Sequence, residues 1–180
     1  MKIKHLNRRK LEQSLSLVWK VFCEYEAKDY PESGRQAFWS AIHSEEYLDM
    51  LDAYGAFEDE ELLGIIAMRN EGRHVALFFV DGNFHKRGIG RSLWYTILGN
   101  NTADTITVNS SLYAVPVYER LGFVATGAAQ EEAGIRYVPM EYRMMINPTC
   151  PCKRASCPRH GHCNECRAKH SNLKRPCACE

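Results

Sequence analysis

Residues 75–94, VALFFVDGNFHKRGIGRSLW, constrain the chain more than any other stretch. The run over 75–80 is apolar throughout, the pattern of a strand buried on both faces, because neither face has to alternate toward water. Asp81-Gly82-Asn83 supplies turn chemistry. His85-Lys86-Arg87-Gly88-Ile89-Gly90 then sets two glycines and three basic side chains directly before a helical apolar pattern, Leu93, Trp94, Ile97 and Leu98. Strand, glycine-rich turn and helix start in succession make an anion site. The glycines let the backbone turn with its N–H groups inward, and the first turn of the helix adds unpaired donors and the positive end of a dipole. Neither GxGxxG nor GxxxxGK[ST] follows the strand, so the spacing disfavours both a dinucleotide fold and a nucleotide triphosphatase.

The stretch resembles motif A of the GNAT superfamily of N-acyltransferases, in which a [Q/R]xxGx[G/A] turn after a central strand holds the pyrophosphate of acetyl-CoA. His85 stands where the family usually has Gln or Arg. A second segment, VNSSLYAVPVYERLGF over 108–123, resembles motif B, where the next strand splays from the central one and the pantetheine arm lies in the gap. The resemblance covers about residues 1–146. It implies a mixed α/β fold: a central, twisted, mostly antiparallel sheet with a splayed parallel pair formed by strands at 75–80 and 105–108, and helices on both faces. It also implies roles for particular residues. Phe79 and Val80 offer backbone groups to the pantetheine. Arg87, Gly88, Ile89, Gly90, Arg91 and Ser92 form the pyrophosphate cradle. Asn109 meets the CoA arm, and Tyr118 is the tyrosine near the thioester sulfur.

The rest of the body fits one domain with a substantial core. Residues 1–6 read as a first strand. Leu11, Leu15, Val18 and Phe22 recur at helical spacing, with Trp19 beside them, in a helix ending before Pro31. Cys23 within it reads as a small core residue. A second helical segment runs from Glu32 through His43 and on to Leu51. Strands are expected over 53–57 and 62–68, joined by the acidic turn Glu58-Asp59-Glu60-Glu61. Further on, 105–108 reads as a strand and 112–121 as a helix. Strands over 123–126 and 135–145 then flank a loop at 127–134.

Between Gln36 and Met68 there are eight acidic residues and no Lys or Arg. Such a run is ordinarily a solvated face. In the resembled family this region borders the acceptor-amine site, so it is also read as an acidic wall that concentrates a cationic acceptor. Tyr25, Tyr30, Phe38, Trp39 and Tyr47 are candidates to line the same pocket.

Residues 147–180 differ in kind, with seven Lys or Arg against two Glu, and with seven of the chain's eight cysteines. The N-terminus lacks the apolar core and cleavage site of a signal peptide, and no run of eighteen apolar residues appears, so a cytoplasmic protein with no membrane partner is expected. Reduced, clustered thiols interleaved with histidines bind metal rather than each other in that compartment. Cys163-x-x-Cys166, with Cys157 before it and His170 four residues after, makes a tetrahedral set of the kind zinc prefers. Cys150, Cys152, Cys177, Cys179, His160 and His162 leave room for a second site or for substitution in the first. An iron–sulfur cluster is the other metal reading, disfavoured by the interspersed histidines. The tail has no aromatic residue to stack on bases, so specific nucleic-acid binding is not expected.

The expected protein is therefore an acetyl-CoA-dependent N-acetyltransferase over 1–146 with a zinc-binding knuckle over 147–180, monomeric or homodimeric. Its amine acceptor is expected to be a cationic small molecule or a lysyl or N-terminal amine, attacking directly in a ternary complex. Glu24, Glu26 and Asp81 are the candidate general bases. Two other readings stay open: a non-catalytic acetyl-CoA sensor, and a metal-handling protein whose active part is the tail.

Overall fold

The computed structural model describes residues 1–144, 151–154, 161, 166 and 170. Strand β1 (Lys2–Leu6) leads into helix α1 (Arg8–Tyr25), which Asn7 caps by accepting a hydrogen bond from the Lys10 amide at 3.0 Å. The apolar stripe expected of α1 is the face it buries: Leu11, Leu15, Val18 and Phe22 are all buried.

The helical segment after Pro31 is two helices rather than one running to Leu51. Helix α2 (Glu32–Ile42) ends at His43, and Ser44 opens α3 (Glu45–Asp49) by accepting a hydrogen bond from the Tyr47 amide at 3.3 Å. A serine that can cap a new helix competes with continuation of the old one.

Strands β2 (Asp52–Glu58), β3 (Glu61–Arg69) and β4 (His74–Val80) follow as an antiparallel meander beside β1. Helix α4 (Ile89–Asn100) crosses to β5 (Thr105–Ser110), which pairs parallel with β4. Helix α5 (Val115–Arg120), β6 (Val124–Ala125), β7 (Gln130–Glu132) and β8 (Ile135–Arg143) complete the body. The sheet order is β1-β2-β3-β4-β5-β8-β6, with β7 paired to β8. Strand β7 lies inside what reads from sequence as a loop, and α5 is shorter than the helix expected over 112–121.

Alternate residues of β3 face opposite sides, Ile65 and Ala67 toward α1 and α2, Ile66 and Met68 toward α4 and α5. Two apolar layers result. Phe22, Phe38 and Phe79 belong to the first, and Leu93, Trp94, Phe123 and Tyr118 to the second. Removing a buried side chain as large as Leu93 costs about 2–5 kcal/mol.

The sheet opens at one place. Parallel pairing of β4 with β5 extends only over His74↔Thr107 and Val75↔Val108. Immediately beyond, the register of β4 with β3 shifts so that Ala76 is an extra residue, a bulge between Val75 and Leu77. A bulge bends its strand and increases local twist, which carries the rest of β4 away from β5. Consequently β4 is not buried on both faces. Val75, Leu77 and Phe79 are buried, whereas Ala76, Phe78 and Val80 are half-buried.

Candidate active site

The opening between β4 and β5 is a cavity of about 340 Å³. It draws lining from both apolar layers: Phe22, Tyr30, Phe38 and Phe79 from the α1–α2 side, Phe78, Ala114 and Tyr118 from the α5 side. A ligand here reaches both faces of the sheet through the gap between the strands.

Main-chain alternation determines what β4 offers. The Asp81 amide donates to the Leu63 carbonyl at 2.9 Å, so by the antiparallel alternation Phe79, opposite Ile65, also turns its N–H and C=O toward β3. Phe78 and Val80 turn theirs toward the gap. The Val80 carbonyl is 2.8 Å from His85 Nε2, and the His85 ring packs against Tyr25 with centroids 5.1 Å apart. The histidine that departs from the motif therefore braces the end of the strand. The N–H of Val80 is the group left for a ligand, and Phe79 contributes its side chain to the cavity wall.

The turn after β4 is shaped for an anion. Gly88 has φ +78°, a left-handed conformation that caps α4, and Lys86 is also left-handed at φ +61°. The Ser92 amide donates to Gly88 O at 3.0 Å, which leaves the amides of Ile89, Gly90 and Arg91 as the unpaired first turn. Ile89 is buried and anchors the helix, while Arg91 is exposed. Gly90 lies under Phe78, where a Cβ would stand 3.4 Å from the ring. The Arg87 guanidinium bonds Glu58 at 2.9 Å and sits over the Phe84 ring, 5.3 Å from its centroid. It is thus directed at the β2–β3 turn.

Of the three candidate bases, one lines the cavity. Asp81 is bonded to Lys20 Nζ at 2.7 Å and accepts from the Asn83 amide at 3.0 Å; the lysine bond holds its carboxyl below the usual range. Glu24 is exposed and outside the cavity lining. Glu26 lines it, and burial pushes its carboxyl up to about 7, with Asp29 adding to the rise and a hydrogen bond from Ser111 opposing it. Tyr118 is buried on α5 in the same cavity, and burial, seconded by Glu26, raises its phenol far above the ordinary value. Asn109, on the open stretch of β5, also lines the cavity.

The acidic run does not. Asp49 pairs with Arg8, Asp52 with His5 and Glu60 with Lys4, while Glu58 pairs with Arg87 and the N-terminus. None of the eight acidic residues lines this cavity; Glu45 borders a separate groove with Trp19 and Trp39. Side chains of β1 and the start of α1 pair with three of the eight because β1 lies beside β2. Among the aromatics expected in the pocket, Tyr30, Phe38 and Tyr47 are there. Tyr25 instead stacks on Tyr113, and Trp39 is 41% exposed beside Trp19. Residues with no sequence signal complete the wall: Arg69, His74 and Ser111, and Glu132 and Tyr137 from the β7–β8 hairpin.

In the tail, Cys157 and Cys163 of the expected zinc set lie outside the described residues. Cys166 is buried, and His170 is half-buried with an Nδ1 that has no hydrogen-bond partner among the described residues. Among those residues no group of three or more metal-ligating side chains comes together. No helix among them is long and apolar enough to cross a membrane.

Comparison with known proteins accords with this geometry. No curated protein matches the chain. Similar solved structures include a GCN5-related N-acetyltransferase of Rhodopseudomonas palustris, 17% identical with a TM-score of 0.66 over 79% of this chain and 94% of that one. The PaiA N-acetyltransferase of Thermoplasma acidophilum, solved with coenzyme A, is 16% identical with a TM-score of 0.62 over 79% and 99% of the two chains. YjaB of Escherichia coli, in its apo form, is 17% identical with a TM-score of 0.62 over 78% and 96%. These likenesses establish the fold. The family model for the acetyltransferase (GNAT) domain matches residues 26–144, about two thirds of the sequence, and the chain belongs to that family.

Proposed function

We propose that the protein transfers an acetyl group from acetyl-CoA to a primary amine by direct attack in a ternary complex. The observation that carries this reading is the gap beyond the Ala76 bulge, where Glu26 and Tyr118 line one cavity that spans the sheet. Acetyl-CoA would lay its pyrophosphate on the amides of Ile89, Gly90 and Arg91, and its pantetheine along Val80 and Asn109.

An amine is protonated in neutral water and has to lose that proton to become a nucleophile. Glu26, poised at about 7, is partly ionised at neutral pH and accepts it. The nitrogen attacks the thioester carbonyl, the C–N bond forms, the C–S bond breaks, and the nitrogen gives up its second proton to water to leave the neutral amide. Tyr118, protonated throughout the physiological range, donates its proton to the departing thiolate and is reprotonated from solvent. Holding the two substrates in one narrow passage supplies much of the acceleration.

For the tail we propose a zinc-bound knuckle held by Cys157, Cys163, Cys166 and His170. Its support is the ligand spacing and a His170 Nδ1 that has no hydrogen-bond partner among the described residues.

The enzyme reading is tested by mass spectrometry of the products formed from acetyl-CoA and a mixed panel of amines by the full chain. A gain of one acetyl group on a panel member is expected. Binding of acetyl-CoA without any acetylated product overturns the reading in favour of a sensor.

A further inference from the structure

The cavity contains a cation that no carboxylate among the described residues pairs. Arg69, the last residue of β3, lies opposite His74 at the start of β4 and lines the cavity with Tyr47 of α3. Its guanidinium has no ion pair or side-chain hydrogen bond to any described residue, and Nε is buried without a hydrogen-bond partner. Arg8, Arg35, Arg87 and Arg143 each pair with a carboxylate, and Arg9, Arg73, Arg91, Arg120 and Arg136 are exposed. Half-buried Arg69 has neither a carboxylate partner among the described residues nor full access to water. Withdrawing a charge from water without pairing it is costly, and the cost is offset only when a counter-charge arrives.

The surroundings add no such counter-charge. His74 is held neutral, its pKa pushed down to about 4 by burial and by Arg69, and its Nδ1 is 2.8 Å from Thr107 Oγ1. Tyr47 is half-buried, and Arg69 acts on it to favour the phenolate while burial prevails in raising it. The carboxylates of the cavity, Glu26 and Glu132, come from the end of α1 and from the β7–β8 hairpin. Beyond the bulge at Ala76, His74 falls on the same face as Leu77 and Phe79, so this cationic end lies on the α1–α2 side of the sheet, away from the pyrophosphate turn. The cavity therefore has a base for an amine toward Glu26 and an unpaired guanidinium at the closed end of the β4–β5 pair.

We propose that Arg69 anchors a carboxylate of the acceptor, so that the acceptor is an amino carboxylate held by its acid at Arg69 and by its amine near Glu26. A guanidinium suits this, because its planar fork matches a carboxylate bidentately. The inference rests on the acetyl-transfer reading for the identity of the amine end. It replaces the cationic acceptor expected from the acidic run, none of whose residues lines this cavity.

The test pairs each of a series of free amino carboxylates, with different separations of amine and acid, with its carboxamide and its decarboxylated amine. Product is followed by mass spectrometry on the full chain. The best acid is expected to exceed its carboxamide at least tenfold in kcat/KM. Arg69→Gln should abolish that preference while the KM for acetyl-CoA holds, and Arg69→Lys should retain part of it. Thermal melts check that the variants fold. In parallel, calorimetry measures binding of the N-acetyl amino carboxylates and their amides to the CoA-loaded protein, a readout that needs no turnover. Binding of the acid that is lost in Arg69→Gln, without any transfer, supports the anchor and overturns the enzyme reading. Transfer to amines with no preference for the acid overturns the anchor alone. Absence of both selective binding and selective transfer overturns it as well.

Discussion

Gly34 of α2 and Gly134 of the β7–β8 turn meet backbone to backbone: a Cβ on Gly34 would overlap the Gly134 carbonyl oxygen. This contact sets how closely α2 approaches the hairpin that carries Glu132 and Tyr137 into the cavity. Gly34→Ala is expected to push the two apart, with an overpacking cost of about 1–3 kcal/mol. A Tm lowered by several degrees and a raised KM for the acceptor, with the KM for acetyl-CoA unchanged, are the expected outcomes. An unshifted Tm would show that the hairpin yields freely.

The sequence is most informative where one local pattern determines the geometry. The run over 75–80 followed by Gly88 and Gly90 is read correctly as strand, turn and helix start because a short apolar run, turn chemistry and a glycine able to turn left-handed are all properties of neighbouring residues, whereas the expected burial on both faces fails because β4 leaves β5 after Val75. The gap is harder to derive. It depends on Ala76 having no counterpart in the pairing of β4 with β3, and an alanine in an apolar run carries no mark of a bulge. Strand β7 is missed for a related reason: its hairpin turn uses Ala133 at φ +50° before Gly134, where Asn or Asp would have announced it. The acidic run misleads because its partners, Lys4, His5 and Arg8, are brought to it only when β1 pairs with β2. Arg69 is invisible in sequence, since what distinguishes it is the absence, in three dimensions, of a partner among the described residues.

Gly88 gives a prediction about backbone alone. A Cβ there would meet nothing within 4 Å, so Gly88→Ala creates no clash, but its φ of +78° is costly for any residue with a Cβ, by about 1–2 kcal/mol. The loop is expected to relax toward negative φ and to turn the Ile89 and Gly90 amides away from the pyrophosphate. Calorimetry should find acetyl-CoA binding weakened at least tenfold while the acceptor KM is little affected. Unchanged binding would remove the turn from the cradle.

The tail reading predicts stoichiometric metal. Purified full chain should carry at least one zinc by elemental analysis, and Cys163→Ser or His170→Ala should lower that content. A structural zinc contributes folding energy, so a strong chelator should expose the tail to protease while residues 1–144 keep their fold. Metal-free protein with an undisturbed proteolysis pattern would contradict a structural site.

Tyr118→Phe removes a hydroxyl and leaves the aromatic packing against Phe78 and Phe123 in place, with ring centroids at 6.0 and 5.2 Å. Stability should change little, and kcat should fall roughly 100-fold, the lower end for loss of a general acid. Acetyl-CoA affinity should hold, because the cradle lies on α4 and β4. An acceptor rate equal to that of the wild type would take the proton-donor role away from the phenol.

Glu26 ties catalysis and stability to one titration. As a base it works ionised, so kcat/KM for the acceptor should rise with pH through about 7 and then level on that limb. Glu26→Gln should lose the limb and fall by about 100-fold or more. Stability should move the other way. Between the ordinary glutamate value and about 7 the unfolded chain has released the proton that the folded chain keeps, so the folded state loses stability as pH rises through that window. Replacing the carboxyl with an amide removes this penalty. The Tm difference between Glu26→Gln and wild type should therefore turn in favour of the variant as pH goes from 4.5 to 8. The two measurements check each other: a stability trend without a kinetic limb would make Glu26 a buried acid of the cavity wall, whereas a limb that survives in Glu26→Gln would place the base on another group.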